Sequence, residues 1–145
     1  MYVEEPMIKL PPQVDEFLHQ PNGAVMGCLR PDGFPMTVVT WYDWEAGRIL
    51  INMDQQRNRL RWIRANPKVS LTVFDKGWHR HVSLHGLVVE IRDDIDLADI
   101  DRLARRYTEQ PFWSRTAKRV SAWIEPAGWH GYDESGELSS ERART

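Results

Sequence analysis

Short runs of β-branched and aliphatic residues, separated by turn-forming residues, dominate the chain. The runs 24–30 (AVMGCLR) and 35–43 (PMTVVTWYD) flank the turn 31–33 (PDG). This turn is favoured because proline presets φ and glycine accepts a positive φ. A second turn, 45–47 (EAG), precedes the run 48–53 (RILINM). Consecutive β runs joined by such short turns predict antiparallel pairing that begins with a hairpin.

Further segments complete a mainly β pattern. Three more runs have the composition of strands: 69–74, 79–92 and 119 to about 132. Three segments carry apolar residues at helical spacing: 11–20, about 55–65 and 94–107. Six strands with few helices predict a small, mainly antiparallel β-barrel with peripheral helices.

Length and composition indicate one globular domain. The chain has 145 residues, 41% of them hydrophobic and 28% charged, which is enough for one core. We expect the domain to span residues 1–132 and the polar, aperiodic tail 133–145 to be disordered. The net charge of −2 gives no overall attraction to nucleic acid, and no apolar run approaches the ~20 residues that span a bilayer.

The cysteine content indicates in which cellular compartment the protein folds. Cys28 is the single cysteine, which excludes an internal disulfide and favours a reduced, cytoplasmic setting. The first residues also lack the pattern of a secretory signal. Because Cys28 lies in the middle of a predicted strand, we expect it to be a small core residue rather than a nucleophile.

The helix that follows the run 48–53 breaks a rule of helix electrostatics. Asp54 is a candidate N-cap, and the charges of Arg57 and Arg59 then oppose the positive N-terminal end of the helix dipole. Free N–H groups and two guanidiniums form an electropositive corner, and phosphate is the anion that usually relieves one. A solvated arginine face is the alternative, which applies most to Arg61 and Arg64.

These residues resemble a known family. The segment 51–71 (INMDQQRNRLRWIRANPKVSL) is similar to the cofactor-phosphate segment of the pyridoxamine-phosphate-oxidase-like split β-barrel family. The segments 24–42 and 79–91 resemble the opening hairpin and the long strand of that family. The Arg-Asn-Arg sequence at 57–59 is nearer to the branch that uses the deazaflavin coenzyme F420 than to the FMN branch. The resemblance implies a six-stranded antiparallel split β-barrel of the FMN-binding type, forming a homodimer with cofactor sites at the interface.

The resemblance also implies an activity and a set of site residues. The activity is hydride transfer between reduced F420 and a small conjugated or aromatic acceptor. An FMN-dependent oxidase or reductase and a cofactor-binding protein without turnover are the alternatives. His81, Tyr42 or water would supply a proton. The implied cofactor contacts are the phosphate ligands Arg57 and Arg59, the neighbouring Asn52, Met53 and Asp54, the hairpin residues Thr37, Val38, Val39 and Thr40, and, from the neighbouring subunit, His79, Arg80 and His81.

The histidines admit a second interpretation. His79, His81 and His85 are separated by even numbers, so they would share one face of a regular strand. A His-x-His pair on a strand can bind zinc with a third ligand such as His130. Gly86 predicts a bulge that resets this face, and we expect no metal site.

Tryptophan is the other abundant residue type of functional interest. The chain contains seven tryptophans, each with a large apolar area and one N–H donor. Trp78, Trp113 and Trp129 are candidates for the rim of a pocket that accepts a flat substrate. Packing in the core or at a dimer interface is the alternative for each of them.

Overall fold

Seven strands and three α-helices make up residues 8–139, the part of the chain that the computed structural model describes. The strands are β1 (Gly23–Leu29), β2 (Pro35–Thr40), β3 (Asp43–Glu45), β4 (Arg48–Asp54), β5 (Lys68–Phe74), β6 (His81–Asp93) and β7 (Arg119–Tyr132). The helices are α1 (Pro12–His19), α2 (Asn58–Ala65) and α3 (Ala98–Thr108), and a 3₁₀ turn, Ile95–Leu97, precedes α3. Every strand pairing is antiparallel, in the order β2-β1-β5-β6-β7-β4-β3. The predicted mainly β, antiparallel fold is confirmed.

The sheet has seven strands rather than the predicted six because the run 35–43 is split. Pairing of β2 with β1 ends at Thr40, and Tyr42 leaves the ladder to bury its ring completely. The chain then forms the short strand β3, which returns to β4 through a two-residue turn. Ala46 and Gly47 of this turn have φ values of 52° and 75°, as the favoured two-residue hairpin turns require.

Strand β4 is buried on both faces and therefore lies at the centre of the molecule. Ile49, Ile51 and Met53 point into the main core. Leu50 points the other way, into a smaller apolar cluster with Leu97, Ile100 and Leu103 at the start of α3. Because side chains alternate along a strand, Asn52 lies on the same side of β4 as Leu50. The polar end of β4 thus faces the α3 side of the sheet.

The long strand β6 departs from regular pairing at two places. Its register with β7 shifts between His85 and Gly86, and again between Val88 and Glu90. Gly86 packs against the Glu125 carbonyl, where a Cβ atom would clash. The predicted bulge at Gly86 is confirmed, and its physical reason is this close backbone approach.

Part of the predicted disordered tail is folded. Residues 133–139 form turns, and the Leu138 side chain, 2% exposed, joins the main core. The Leu138 carbonyl lies against Gly131 of β7, which leaves no room for a side chain at that position. The prediction of disorder is therefore wrong for 133–139, because one apolar residue in a polar segment is buried. Residues 140–145 lie outside the described residues.

The three α-helices of residues 8–139 are short, with 8, 8 and 11 residues. None of them is long and apolar enough to cross a bilayer.

Replacement of Leu138 by alanine tests the folded tail. We expect Leu138→Ala to lower the free energy of unfolding by about 2–4 kcal/mol, because it removes buried methyl groups and leaves a cavity. Urea unfolding followed by tryptophan fluorescence measures this change. Glu137→Ala is the matched control, since Glu137 is exposed and its replacement should change stability by less than about 0.5 kcal/mol. Equal, small effects of both substitutions would contradict the packing of the tail.

Candidate functional site

The chain leaves β4 through a turn rather than through a capped helix start. The Asp54 carboxylate accepts a hydrogen bond of 2.9 Å from the Gln56 N–H, and Asp54 still pairs with Arg119 in the β4–β7 ladder. Helix α2 therefore begins later than predicted, and Arg57 occupies the N-cap position without a side-chain hydrogen bond. The prediction of Asp54 as N-cap is wrong because its carboxylate is used within the turn. The first turn of α2 also lacks an acidic residue.

Three arginines surround the start of α2. Arg57 is exposed, whereas Arg59 and Arg119 are half-buried. Arg119 is the first residue of β7 and was not predicted as a site residue. Three adjoining cavities open between these side chains, and we call them together the arginine groove.

The first cavity of the arginine groove, of about 380 Å³, lies between the edge strand β2 and α2. The second, of about 230 Å³, lies between the end of β2 and α3. The third, of about 500 Å³, lies on the far side of Arg57. The residues of interest that line the first cavity are Thr37, Val38, Val39, Arg57, Arg59 and Trp62. Those of the second are Thr40, Trp41, Asn52, Arg59, Phe112 and Arg119. Those of the third are Asp54, Arg57, Phe112, Trp113 and Arg119.

The charges of the arginine groove are not neutralised by the surrounding chain. Within residues 8–139, no carboxylate forms an ion pair with Arg57, Arg59 or Arg119. Burial lowers the pKa of Arg59, and the charges of Arg57 and Arg119 lower that pKa further. The Arg59 Nε atom is buried and has no hydrogen-bond partner among the described residues. A buried cationic donor of this kind costs on the order of 1–3 kcal/mol, which a bound anion would relieve.

Met53 and Asn52 of β4 were predicted to line the approach to the cofactor, and neither side chain is free to contact a ligand there. Met53 is fully buried in the main core, on the opposite face of β4, so its side chain cannot line the approach. Asn52 borders the second cavity, but its amide is occupied by neighbours. Its Oδ1 accepts a hydrogen bond of 2.7 Å from Arg119 Nε, and its Nδ2 donates to Asp94 and Ser121, at 3.0 Å each.

The predicted residues 79–81 lie elsewhere in the chain. His81 begins β6 and pairs with Tyr132 at the end of β7, whereas Arg119 is at the start of β7. The rings of His81 and Tyr132 are stacked with centroids 6.0 Å apart. His79 lies 3.3 Å from Glu134, and Arg80 forms an ion pair with Asp75. The structure therefore does not bring this segment together with the arginine groove in one chain.

Of the three histidines predicted to share one face, His81 and His85 do so on β6, whereas His79 lies outside the strand. His79 precedes β6, and Trp78 before it has a φ of 62°, so a turn separates His79 from the ladder. The His81 and His130 rings meet edge to face, with centroids 6.2 Å apart. In the described part of the chain, no group of three or more His, Cys, Asp or Glu side chains is arranged to hold a metal ion.

Tyr42 was a candidate proton donor, and its position excludes this role. Its ring is fully buried, and its hydroxyl lies 2.8 Å from the Leu18 carbonyl oxygen and 3.0 Å from that of Gln20. Burial raises the pKa of the Tyr42 phenol well above its usual value. The prediction is wrong because the hydroxyl anchors the end of α1 rather than facing a cavity.

Of the three tryptophans predicted at the rim of a substrate pocket, one lines a cavity of the arginine groove. Trp113 is 85% exposed and lines the third cavity of the arginine groove. Trp78 is also exposed but packs beside Phe74, near the start of β6. Trp129 is partly buried and packs against the main core. Cys28 belongs to the main core as predicted, and burial raises the pKa of its thiol.

Comparison with known proteins identifies the family of this fold and groove. A family model described as pyridoxamine 5'-phosphate oxidase matches residues 10–133. The chain belongs to the pyridoxamine 5'-phosphate oxidase family. The predicted family is thereby confirmed, together with its split β-barrel fold. A search of the curated proteins found no match.

Three solved structures with this fold are similar to the chain, one at 27% sequence identity and two at 18%. A structure described as an F420 reductase has a TM-score of 0.76 and 27% sequence identity, and covers 83% of this chain and 98% of that chain. A conserved hypothetical protein from Mycobacterium tuberculosis has a TM-score of 0.67 and 18% identity, and covers 99% and 100%. General stress protein 26 from Bacillus anthracis has a TM-score of 0.61 and 18% identity, and covers 82% and 93%. The last two show the fold alone. The family match and the similarity to the F420 reductase together favour an oxidoreductase of the flavin or deazaflavin type.

Tyr42→Phe separates the structural role of this residue from a catalytic one. The substitution removes one buried hydroxyl, so we expect the free energy of unfolding to fall by about 1–2 kcal/mol. Denaturant unfolding measures this loss. Thr108→Val is the control for removing a hydroxyl outside the arginine groove, since the Thr108 hydroxyl donates to the Ala104 carbonyl. A stable Tyr42→Phe protein that has lost ligand turnover would contradict the structural assignment.

Proposed function

We propose that the protein is an oxidoreductase that binds coenzyme F420 in the arginine groove and passes a hydride between the reduced deazaflavin and a small conjugated or aromatic acceptor. The observation that carries this proposal is the charge of the groove. Three guanidiniums, those of Arg57, Arg59 and Arg119, converge there without a carboxylate partner among the described residues. Membership of the family supports the fold, and the 27% identical F420 reductase supports the choice of cofactor.

In this proposal the phosphate of the cofactor would lie at the start of α2. Arg57 and Arg59 would hold it by charge-assisted hydrogen bonds, which are stronger than neutral ones. The buried Nε of Arg59 gains the partner that the protein itself does not supply. Asp54, on the third-cavity side of Arg57, would border the phosphate without neutralising it.

The ring system of the cofactor would lie along β2. Among residues 8–139 this strand is at the edge of the sheet, so one side of its backbone pairs with no other described strand and has N–H and C=O groups that can bind a polar ring edge. Val38 and Val39 supply apolar contact in the first cavity, between Thr37 and Thr40. A deazaflavin supplies the hydride, so the task of these residues is to orient the ring and to exclude water from one face.

A homodimer would complete this site. His79, Arg80 and His81 lie at the opposite end of β7 from Arg119, so they can reach a cofactor only in a partner subunit. His81 would then be the candidate proton donor. Exposed apolar side chains near this end and along β6 would be covered by the partner: Trp78, Leu87, Val89 and Tyr132. A cytoplasmic location also remains a prediction.

FMN is the second candidate cofactor, and one observation favours it. A phosphate monoester carries a charge of about −1.5 to −2 at neutral pH, and three clustered guanidiniums match such a dianion well. A cofactor-binding protein without turnover is the third possibility. Tyr42 is buried, and His81 is remote from the groove of its own chain, so a single chain presents neither candidate acid beside the ligand.

Paired titrations with F420 and FMN test the proposal. We expect F420 to bind more tightly than FMN, with quenching of the fluorescence of Trp62 and Trp113, which line the groove. Arg57→Ala and Arg59→Ala should each weaken binding by roughly 1–3 kcal/mol, the larger loss being at the half-buried Arg59. Arg64→Ala is the matched control, because Arg64 is exposed in the last turn of the same helix.

The outcomes of these titrations separate the three candidates. Unchanged affinity in both arginine variants would refute the phosphate site. If FMN binds more tightly than F420, the cofactor assignment changes from F420 to FMN. Oxidation of reduced F420 by quinones or unsaturated ketones only in the presence of the protein would establish turnover, whereas binding without it would support the non-catalytic alternative.

Mixed dimers test the placement of His81. We expect sedimentation velocity to show a dimer, and we expect Arg59→Ala and His81→Ala proteins to be impaired when each is alone. Refolding the two variants together should restore some activity, because one site of each mixed dimer then has both native residues. Absence of such complementation in a confirmed mixed dimer would place His81 outside the site.

A further inference from the structure

A buried polar network links Asn52 to the start of α3. Asp94 Oδ2 accepts hydrogen bonds from Asn52 Nδ2, at 3.0 Å, and from the Ile100 N–H, at 2.9 Å. Its Oδ1 accepts from the Asp99 N–H at 2.8 Å, so the whole Asp94 carboxylate is used. Ser121 Oγ accepts from Asn52 Nδ2 and donates to Asp99 at 2.7 Å. Asn52, Asp94 and Ser121 are each less than a tenth exposed.

This network determines which way the Asn52 amide points. Both hydrogens of Nδ2 are donated, one to a carboxylate that can only accept. A flipped amide would place its oxygen against the Asp94 carboxylate, so Oδ1 must face Arg119. Arg119 Nε donates to that oxygen at 2.7 Å, and its guanidinium lies over the Phe112 ring, 4.8 Å from the centroid. The two contacts hold the guanidinium at Nε and against one aromatic ring.

The choice of partner for Arg119 indicates a role beyond packing. Burial lowers the pKa of Arg119, while the charges of Asp54 and Asp94 act in the opposite direction. Both carboxylates are thus close, yet neither forms an ion pair with it among the described residues. Arg119 is instead held by a neutral amide, and Nε–Asn52 is the one side-chain hydrogen bond that it makes within residues 8–139. Its terminal nitrogens make no side-chain hydrogen bond among the described residues, and the Arg119 side chain lines two cavities of the arginine groove.

We propose that Arg119 is a third anion-binding residue of the arginine groove and that Asn52 is a positioning residue that directs it. The inference rests on the proposed function and names a residue pair that the sequence motif 57–59 does not contain. Arg119 borders the second and third cavities, whereas Arg59 borders the first and second. A phosphate group bound beside Arg57 would therefore be contacted from both sides, by α2 and by β7.

Inorganic pyrophosphate is a suitable probe, because it tests the anion site without a flavin or deazaflavin ring. Isothermal titration of the full chain should show that Arg119→Ala weakens pyrophosphate binding by about 10–100-fold. Arg64→Ala, the exposed control on α2, should leave the affinity unchanged. A double-mutant cycle with Asn52→Ala then tests positioning. Asn52→Ala should weaken binding when Arg119 is present and should have no further effect in the Arg119→Ala background.

Several results would overturn the inference. Wild-type affinity in Arg119→Ala would make Arg119 a structural residue, even if Arg59→Ala abolishes binding and the proposed phosphate site stands. Additive losses in the cycle would show that Asn52 acts on the ligand or on the fold independently of Arg119. If the wild-type chain binds F420 or FMN but not pyrophosphate, the three-arginine site is wrong while the cofactor assignment survives.

Arg119→Lys keeps the test decisive if Asn52→Ala does not fold. Lysine retains the charge but lacks the planar group that Asn52 and Phe112 hold in place. We expect Arg119→Lys to lose at least about 5-fold in pyrophosphate affinity while it remains folded, as circular dichroism would show. Wild-type affinity in this variant would show that charge alone matters and would refute positioning.

Discussion

Repulsion between three guanidiniums is the constraint on which the site depends. Like charges at close range are unfavourable, and partial burial increases the penalty because water is excluded. Arg59 shows both effects, since its pKa is lowered first by burial and then by Arg57 and Arg119. Other arginines of the chain, such as Arg80 and Arg115, pair with aspartates. The groove is thus an exception within its own protein, and exceptions to local rules are commonly found at functional sites.

The rest of the fold holds these charges together. Strand β4 is buried on both faces, so the turn that follows it starts from a rigid position. Asp94 caps the start of α3 and at the same time orients Asn52, which ties the helix to β4 and, through Arg119, to β7. The Tyr42 hydroxyl fixes the end of α1 near the point where the chain leaves β2. The stability of these elements offsets the cost of the unneutralised groove.

Local sequence predicted the elements that short-range rules control. The hairpin turn at 31–33, the strands from 48, 69 and 119, and the arginines at the start of a helix all follow from neighbouring residues. The division of the run 35–43 did not, because it depends on packing of the Tyr42 ring in the main core, among residues from other parts of the chain. Leu138 was missed for the same reason, since one apolar residue in a polar tail has no periodicity. Met53 could have been assigned to the core from the alternation along β4 with Asn52.

Arg119 shows why the site itself was only partly predictable. Arg119 follows Arg59 by 60 residues in the chain. The two arginines are neighbours in the fold because β4 pairs with β7, a strand that is far from it in the sequence. An arginine that begins a strand carries no local signal of a ligand. Another pairing, that of β6 with β7, places His81 next to Tyr132, at the end of β7 opposite to Arg119. Strand β7 thus carries Arg119 at its first residue and contacts His81 near its last. In the proposed function, the phosphate would therefore be bound by residues of one chain, whereas delivery of a proton by His81 would require two chains.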